Sequence, residues 1–149
     1  IHMFFHWLHW GVGFRQYCDW ILLMTHLREK VDTQEIERIA RALDILYPMQ
    51  LFAQAAELYL QVSPEIFPFS RLEAKDAYSD QIIRDVLHSG NFGFSQRPDR
   101  ARSRLLTDLR KLVFKARRSY RLHAIAPTHA SRIIWGSIIG HLMLRLRKL

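Results

Sequence analysis

The densest chemistry in the sequence lies near its start, in the run F-F-H-W-L-H-W-G-V-G-F-R-Q-Y-C-D-W, Phe4 to Trp20. His6 and His9 are three residues apart and share one face of a helix, with Asp19 further along, so two imidazoles and a carboxylate offer the donor types of a zinc site. Against that ligand set stand the lack of an H-E-x-x-H order, the two glycines that interrupt a helix between His9 and Asp19, and the large aromatics crowding the segment. No metal is therefore expected, and both histidines are read as packed or hydrogen-bonded groups. Gly11 and Gly13 resemble the opening of a phosphate-binding glycine loop, in which backbone amides approach an anion at a helix N-terminus. The same glycines equally suit a tight helix junction or close helix packing. Arg15 and Asp19, at i and i+4, either form an intrahelical pair or present an oriented guanidinium fork to a phosphate in a neighbouring cleft.

A second candidate is the loop G-N-F-G, Gly90 to Gly93. Asn91 can adopt a left-handed conformation or accept backbone hydrogen bonds, and Phe92 can anchor the loop on a core or touch a ligand. Catalysis by this chain alone is not expected: no Ser, His and Asp set has motif support and no pair of carboxylates stands out. The single cysteine, Cys18, lies in an apolar run and is read as a structural thiol. It excludes an internal disulfide framework and fits a reducing compartment. The aromatic N-terminal stretch lacks a basic n-region and a small-residue cleavage site, so the protein is expected to be cytoplasmic.

These residues must be positioned by helices. Apolar residues recur at helical spacing and alternating β-branched runs are missing, which predicts an all-α fold: an irregular bundle of about five to six helices with no sheet. A first helix is expected from Gly11 or Gly13 to about Lys30, with Phe14, Tyr17, Cys18, Ile21, Leu22 and Met24 facing a core. Asp32 and Glu35 form a capping-box pattern that opens a second, carrying Ile36, Ile39, Ala40, Leu43 and Leu46 up to Pro48, a residue that also suits the first turn of the next helix. A third follows with Leu51, Phe52, Ala55, Leu58 and Tyr59. The fourth runs from about Glu73 to His88, with Ala77, Ile82, Ile83, Val86 and Leu87 inward and Gly90 as its stop. A long helix from about Asp99 to Tyr120 should turn Leu105, Leu109, Leu112, Val113 and Ala116 inward; Pro127 then breaks the chain and Thr128 can cap a last helix through Ile133, Ile134, Ile138, Leu142 and Leu146.

At 149 residues the chain can bury a core without staples, and its 49% hydrophobic content excludes intrinsic disorder. The formal net charge of +8 is unevenly spread. Residues 1–89 hold 8 basic and 12 acidic side chains, whereas residues 90–149 hold 14 basic and 2 acidic. The expected organisation is a mildly acidic helical part over 1–89, a connector over 90–98 and a basic helical segment over 99–149, or one single domain. The basic half is the footprint of a nucleic-acid partner. Aromatic interleaving is thin there, so a solvated basic face remains the competing reading. The last helix, with Gly136 and Gly140 and the ending R-L-R-K-L, has the composition of one that could lie on an anionic membrane surface. Membrane contact is nonetheless the least expected of these partnerships.

The block Gly11 to Trp20, followed by a helical stretch and then G-N-F-G at Gly90 to Gly93, resembles the C-terminal helical part of a family of bacterial, Bacteroidetes-type nucleotidyltransferase proteins. The resemblance covers essentially the whole chain. In that family a nucleotidyltransferase-fold domain precedes this region, and its Gly-Ser turn and spaced aspartates bind metal and nucleotide phosphates. Those motifs do not occur here, so the resemblance implies a non-catalytic accessory part. It implies that magnesium and a nucleoside triphosphate belong to the other domain, with no cofactor held by this chain. It further implies that His9, Gly11, Gly13, Arg15, Gln16 and Asp19 border the catalytic cleft, with Asn91 and Phe92 as a second candidate segment. The implied partner is a nucleotidyltransferase-fold domain, in the same polypeptide or in trans.

Overall fold

Helical spacing of apolar residues, punctuated by glycine and by left-handed residues, divides the chain into seven α-helices in a computed structural model that describes residues 2–90 and 103–146. They are α1 (His2–His9), α2 (Phe14–Leu27), α3 (Thr33–Ala42), α4 (Leu46–Leu60), α5 (Ala77–Ser89), α6 (Arg104–Leu122) and α7 (Pro127–Leu146), with one 3₁₀ turn at Pro64–Ile66. The fold is all-α, and no strand occurs among the described residues. The chain divides into two compact units, Ile1–Gln96 and Arg97–Leu149. No helix among the described residues is long and apolar enough to cross a membrane.

In the first unit the core forms around α4. This helix is apolar on nearly all sides, and Leu51, Phe52, Ala53, Ala55 and Ala56 are all buried, as a helix without a polar face must be. Phe52 is its hub: the rings of Trp7, Tyr17 and Trp20 lie 5.3, 5.6 and 6.1 Å from it, at steep angles. Such edge-to-face pairs contribute about 0.5–1.5 kcal/mol each beyond area burial. The Tyr17 hydroxyl donates to the Phe52 carbonyl at 2.6 Å. Its burial pushes the phenol well above its ordinary range, so it stays a neutral donor.

A polar knot fastens α4 to α5. The buried Gln54 side chain accepts from the Asp76 N–H at 2.8 Å and from the Ser79 hydroxyl at 2.7 Å, and donates to the Ala74 carbonyl at 2.8 Å. Asp76 in turn caps α5 by accepting from the Tyr78 N–H and takes a hydrogen bond from the Tyr47 hydroxyl at 2.7 Å. The phenol of Tyr47 is raised by burial and by the Asp76 carboxylate.

Several expectations are corrected. The aromatic N-terminal run forms a helix of its own, α1, outside the expected set. The second expected helix closes at Ala42 rather than at Pro48, because Asp44 takes a left-handed φ of 55°, while Pro48 does occupy the first turn of the next helix, α4. Asp32 caps α3 through the Gln34 and Glu35 N–H groups. The return half of the capping box is absent: the Glu35 carboxylate binds Arg38 instead, at 2.6 and 2.7 Å. Asp76 moves the start of α5 to Ala77. Phe14, Leu22, Leu43, Leu58, Tyr59 and Leu87, all expected inside, are exposed because each helix buries a narrower stripe than its apolar content allows.

In the second unit α6 and α7 pack antiparallel neighbours through small polar groups: the Ser119 hydroxyl donates to the Ala130 carbonyl at 2.5 Å and the Lys115 ammonium reaches the Ser137 hydroxyl at 3.2 Å. Arg118, Ser119 and Leu122 are buried, whereas Leu105, Leu109 and Val113 of the expected inward face are exposed.

Two outcomes are expected. Gln54→Leu should lower stability by about 2–4 kcal/mol in urea unfolding, since it strands the Asp76 N–H and the Ser79 hydroxyl. Adding Ser79→Ala should recover part of that loss. Glu37 is held below the ordinary carboxylate range, first by the Ser70 N–H and then by Arg41. Its stabilisation is present above the unfolded carboxylate value of about 4.3 and is lost as pH falls through the lower folded value. Wild type should therefore melt about 2 °C or more above Glu37→Gln at pH 7, with the gap closing below about pH 4.

Candidate functional site

The glycine-rich junction between α1 and α2 uses each glycine for a separate purpose. At the end of α1, Trp10 donates to the His6 carbonyl at 2.9 Å, and the Gly11 N–H reaches the His6 and Trp7 carbonyls, each at 3.2 Å. Gly11 has φ of 96°, which only glycine adopts without strain, and this reverses the chain after one short helix. Val12 is buried, and Gly13 then caps α2, its N–H donating to the Gln16 side-chain oxygen at 3.1 Å.

Gly13 needs no unusual dihedral angle: its φ of −81° and ψ of 166° are ordinary extended backbone. Its requirement is space. A β-carbon at this position would lie 2.2 Å from the carbonyl oxygen of Gly90 and 2.8 Å from its carbonyl carbon. Gly90 closes α5 with φ of 63°. The two motifs singled out in the sequence therefore meet: the N-terminus of α2 and the C-terminus of α5 touch backbone to backbone. Opposite ends of two helix macrodipoles are brought together there, which stabilises the junction. The Gly90 carbonyl also occupies space that an anion would otherwise use. Asn91 and Phe92 lie outside the described residues.

Around this junction the polar side chains differ in setting. His9 ends α1 and is half-buried, and Gln16 is spent on capping. Arg15 and Asp19 are exposed, and among the described residues they form no ion pair with each other, so the Arg15 guanidinium stands in the first turn of α2 open to solvent. His6 packs against the His2 ring at 4.5 Å. Among the described residues no group of three His, Cys, Asp or Glu stands close enough to hold a metal ion. Cys18 is half-buried.

Polar residues that sequence reasoning missed lie beside the same helix ends. Asp85 and Ser89 of α5 are buried, and the Ser89 hydroxyl turns back to the Asp85 carbonyl at 2.6 Å, one turn before Gly90. Their signal was available: they break the apolar register of α5 at i and i+4. Elsewhere an open groove of about 600 Å³ lies beside α3, lined among others by Phe67, Phe69, Arg38 and Arg41. Both of its guanidiniums are engaged, Arg38 by Glu35 and Arg41 by Glu37. None of the sequence-predicted site residues lines it.

No family model, curated protein or solved structure matches this chain.

The contact between the two motifs makes a discriminating expectation. Gly13→Ala should cost at least about 2 kcal/mol in denaturant unfolding, from overlap with the Gly90 carbonyl. Gly11→Ala should cost about 1–2 kcal/mol from its left-handed backbone. If Gly13→Ala proved neutral, the close approach to Gly90 would be refuted.

Proposed function

We propose that this chain is the helical accessory part of a nucleotidyltransferase-like protein, placed against a nucleotidyltransferase-fold domain and contributing no catalytic group of its own. The observation that supports this reading most is the meeting of Gly13 and Gly90. The two segments that carry the family resemblance are remote in sequence, and their contact gives them one location and one reason to occur together.

On this reading the α1–α2 junction and the end of α5 form an edge of the nucleotide cleft. Arg15 is the residue suited to a phosphate there: it is exposed, it lacks an intrahelical partner in Asp19, and it sits in the first turn of α2, where the helix dipole favours negative charge. Gly11, Gly13 and Gln16 serve the cleft indirectly by fixing the direction in which α2 starts. His9 borders the same turn. Magnesium and the triphosphate would be held chiefly by the aspartates of the partner domain, which this chain does not contain.

The reading is tested on the polypeptide translated from the complete reading frame. A Gly-Ser turn followed by paired aspartates should precede Ile1, or occur in a separate chain that co-purifies with this one. Calorimetric titration of that assembly with a nucleoside triphosphate and magnesium should then show Arg15→Ala binding about tenfold more weakly, the value of one charge-assisted hydrogen bond. Unchanged affinity would remove Arg15 from the cleft.

A further inference from the structure

The face of α6 that its sequence marks as a core stripe is turned to solvent. Leu105, Leu106, Leu109 and Val113 are 67%, 52%, 55% and 42% exposed, and Tyr120, two turns on, is 85% exposed. Spacings of three, four and seven residues put all five on one side of the helix. The side buried in the second unit is a different one, carrying Arg118, Ser119 and Leu122. Along one edge of the apolar stripe run Arg110, Arg117 and Arg121, at intervals of seven and four, all exposed. The one acidic residue of α6, Asp108, lies on the far edge of the stripe.

We propose that α6 lies along an anionic lipid surface, with the Leu105 to Tyr120 stripe entering the boundary between headgroups and acyl chains and the arginine row resting on lipid phosphates and carboxylates. Charge complementarity selects this occupant. A helix with an apolar face and a basic edge matches a surface that is apolar at depth and negative just above it. A nucleic acid would take the arginines but leave the leucines in water, since phosphate contact uses no aliphatic stripe. A second copy of the chain packing its own α6 stripe on this one would cover the leucines but set arginine row against arginine row. The helix lies on the membrane rather than across it, consistent with the lack of a spanning helix among the described residues. The inference is independent of the nucleotidyltransferase reading.

Flotation of the full chain with vesicles decides it. The chain should rise with vesicles of phosphatidylcholine containing phosphatidylserine and remain behind with phosphatidylcholine alone. Leu109→Glu with Val113→Glu should raise the lipid concentration for half-binding by about a hundredfold or more, and Arg110→Glu with Arg117→Glu by at least about tenfold. Both pairs are exposed, and circular dichroism should show unchanged helix content. Absence of flotation with the anionic vesicles would overturn the proposal. So would full binding by the Leu109→Glu, Val113→Glu variant, or a dimer in sedimentation that this variant dissolves. Tight binding of labelled RNA with no flotation would assign the basic row to nucleic acid instead.

Discussion

The first unit depends on one close approach, the α-carbon of Gly13 against the carbonyl of Gly90. Nothing larger than hydrogen fits between them, so the start of α2 and the end of α5 have a single permitted separation. That distance fixes where α2 begins, and hence where Tyr17 and Trp20 stand one and two turns later. Both rings then reach Phe52 of α4. Since α4 and α5 are also joined by Gln54, the helices α2, α4 and α5 form a closed circuit of constraints: one backbone contact, one aromatic hub and one polar knot. Each element of the circuit restricts the other two, and rigid positioning follows from closure rather than from any one strong bond.

The same circuit decides between the two uses of G-V-G. In a phosphate loop the glycines clear space for a ligand against free amides. Here the cleared space beside Gly13 is filled by protein, and the amide of Gly13 is already bound to Gln16. Backbone packing therefore accounts for Gly13, and chain reversal accounts for Gly11. What is left for an anion is the side chain of Arg15 rather than a cradle of amides. The G-V-G turn is thus spent on structure, and the proposed accessory reading needs only the exposed Arg15 side chain, not a cradle of amides.

Helix content was legible in the sequence because it depends on local spacing and on punctuation. The Asp32 cap and the stop at Gly90 are set within a few residues of themselves. The α1 helix was less legible, since aromatics and histidines are indifferent helix formers and its stability comes from packing Trp7 onto Phe52. Which apolar residues face inward was the least legible feature. Periodicity shows that Leu105, Leu109 and Val113 share a face, but the choice of buried face belongs to the partner helix. In α6 the choice went to Ser119, whose hydroxyl meets the Ala130 carbonyl. The two candidate segments were legible as unusual, while their contact was not, because a glycine pair leaves no side-chain pattern to match.

Both units use one device to set helix against helix: a small number of buried polar groups satisfied across the pair. Gln54 with Ser79 does this between α4 and α5, and Ser119 with Ala130 does it between α6 and α7. Apolar stripes tolerate sliding, because one leucine contact substitutes for another at little cost. A buried hydroxyl or amide does not, since a shift of one turn would leave it unpaired at about 1–3 kcal/mol. Register is therefore specified by the least hydrophobic positions of each interface. It follows that the exposed stripe from Leu105 to Tyr120 is not needed to hold α6 on α7, and its exposure is compatible with a well-defined helix pair. Within the α6–α7 pair such a face is released from structural duty, and it is bordered by arginines.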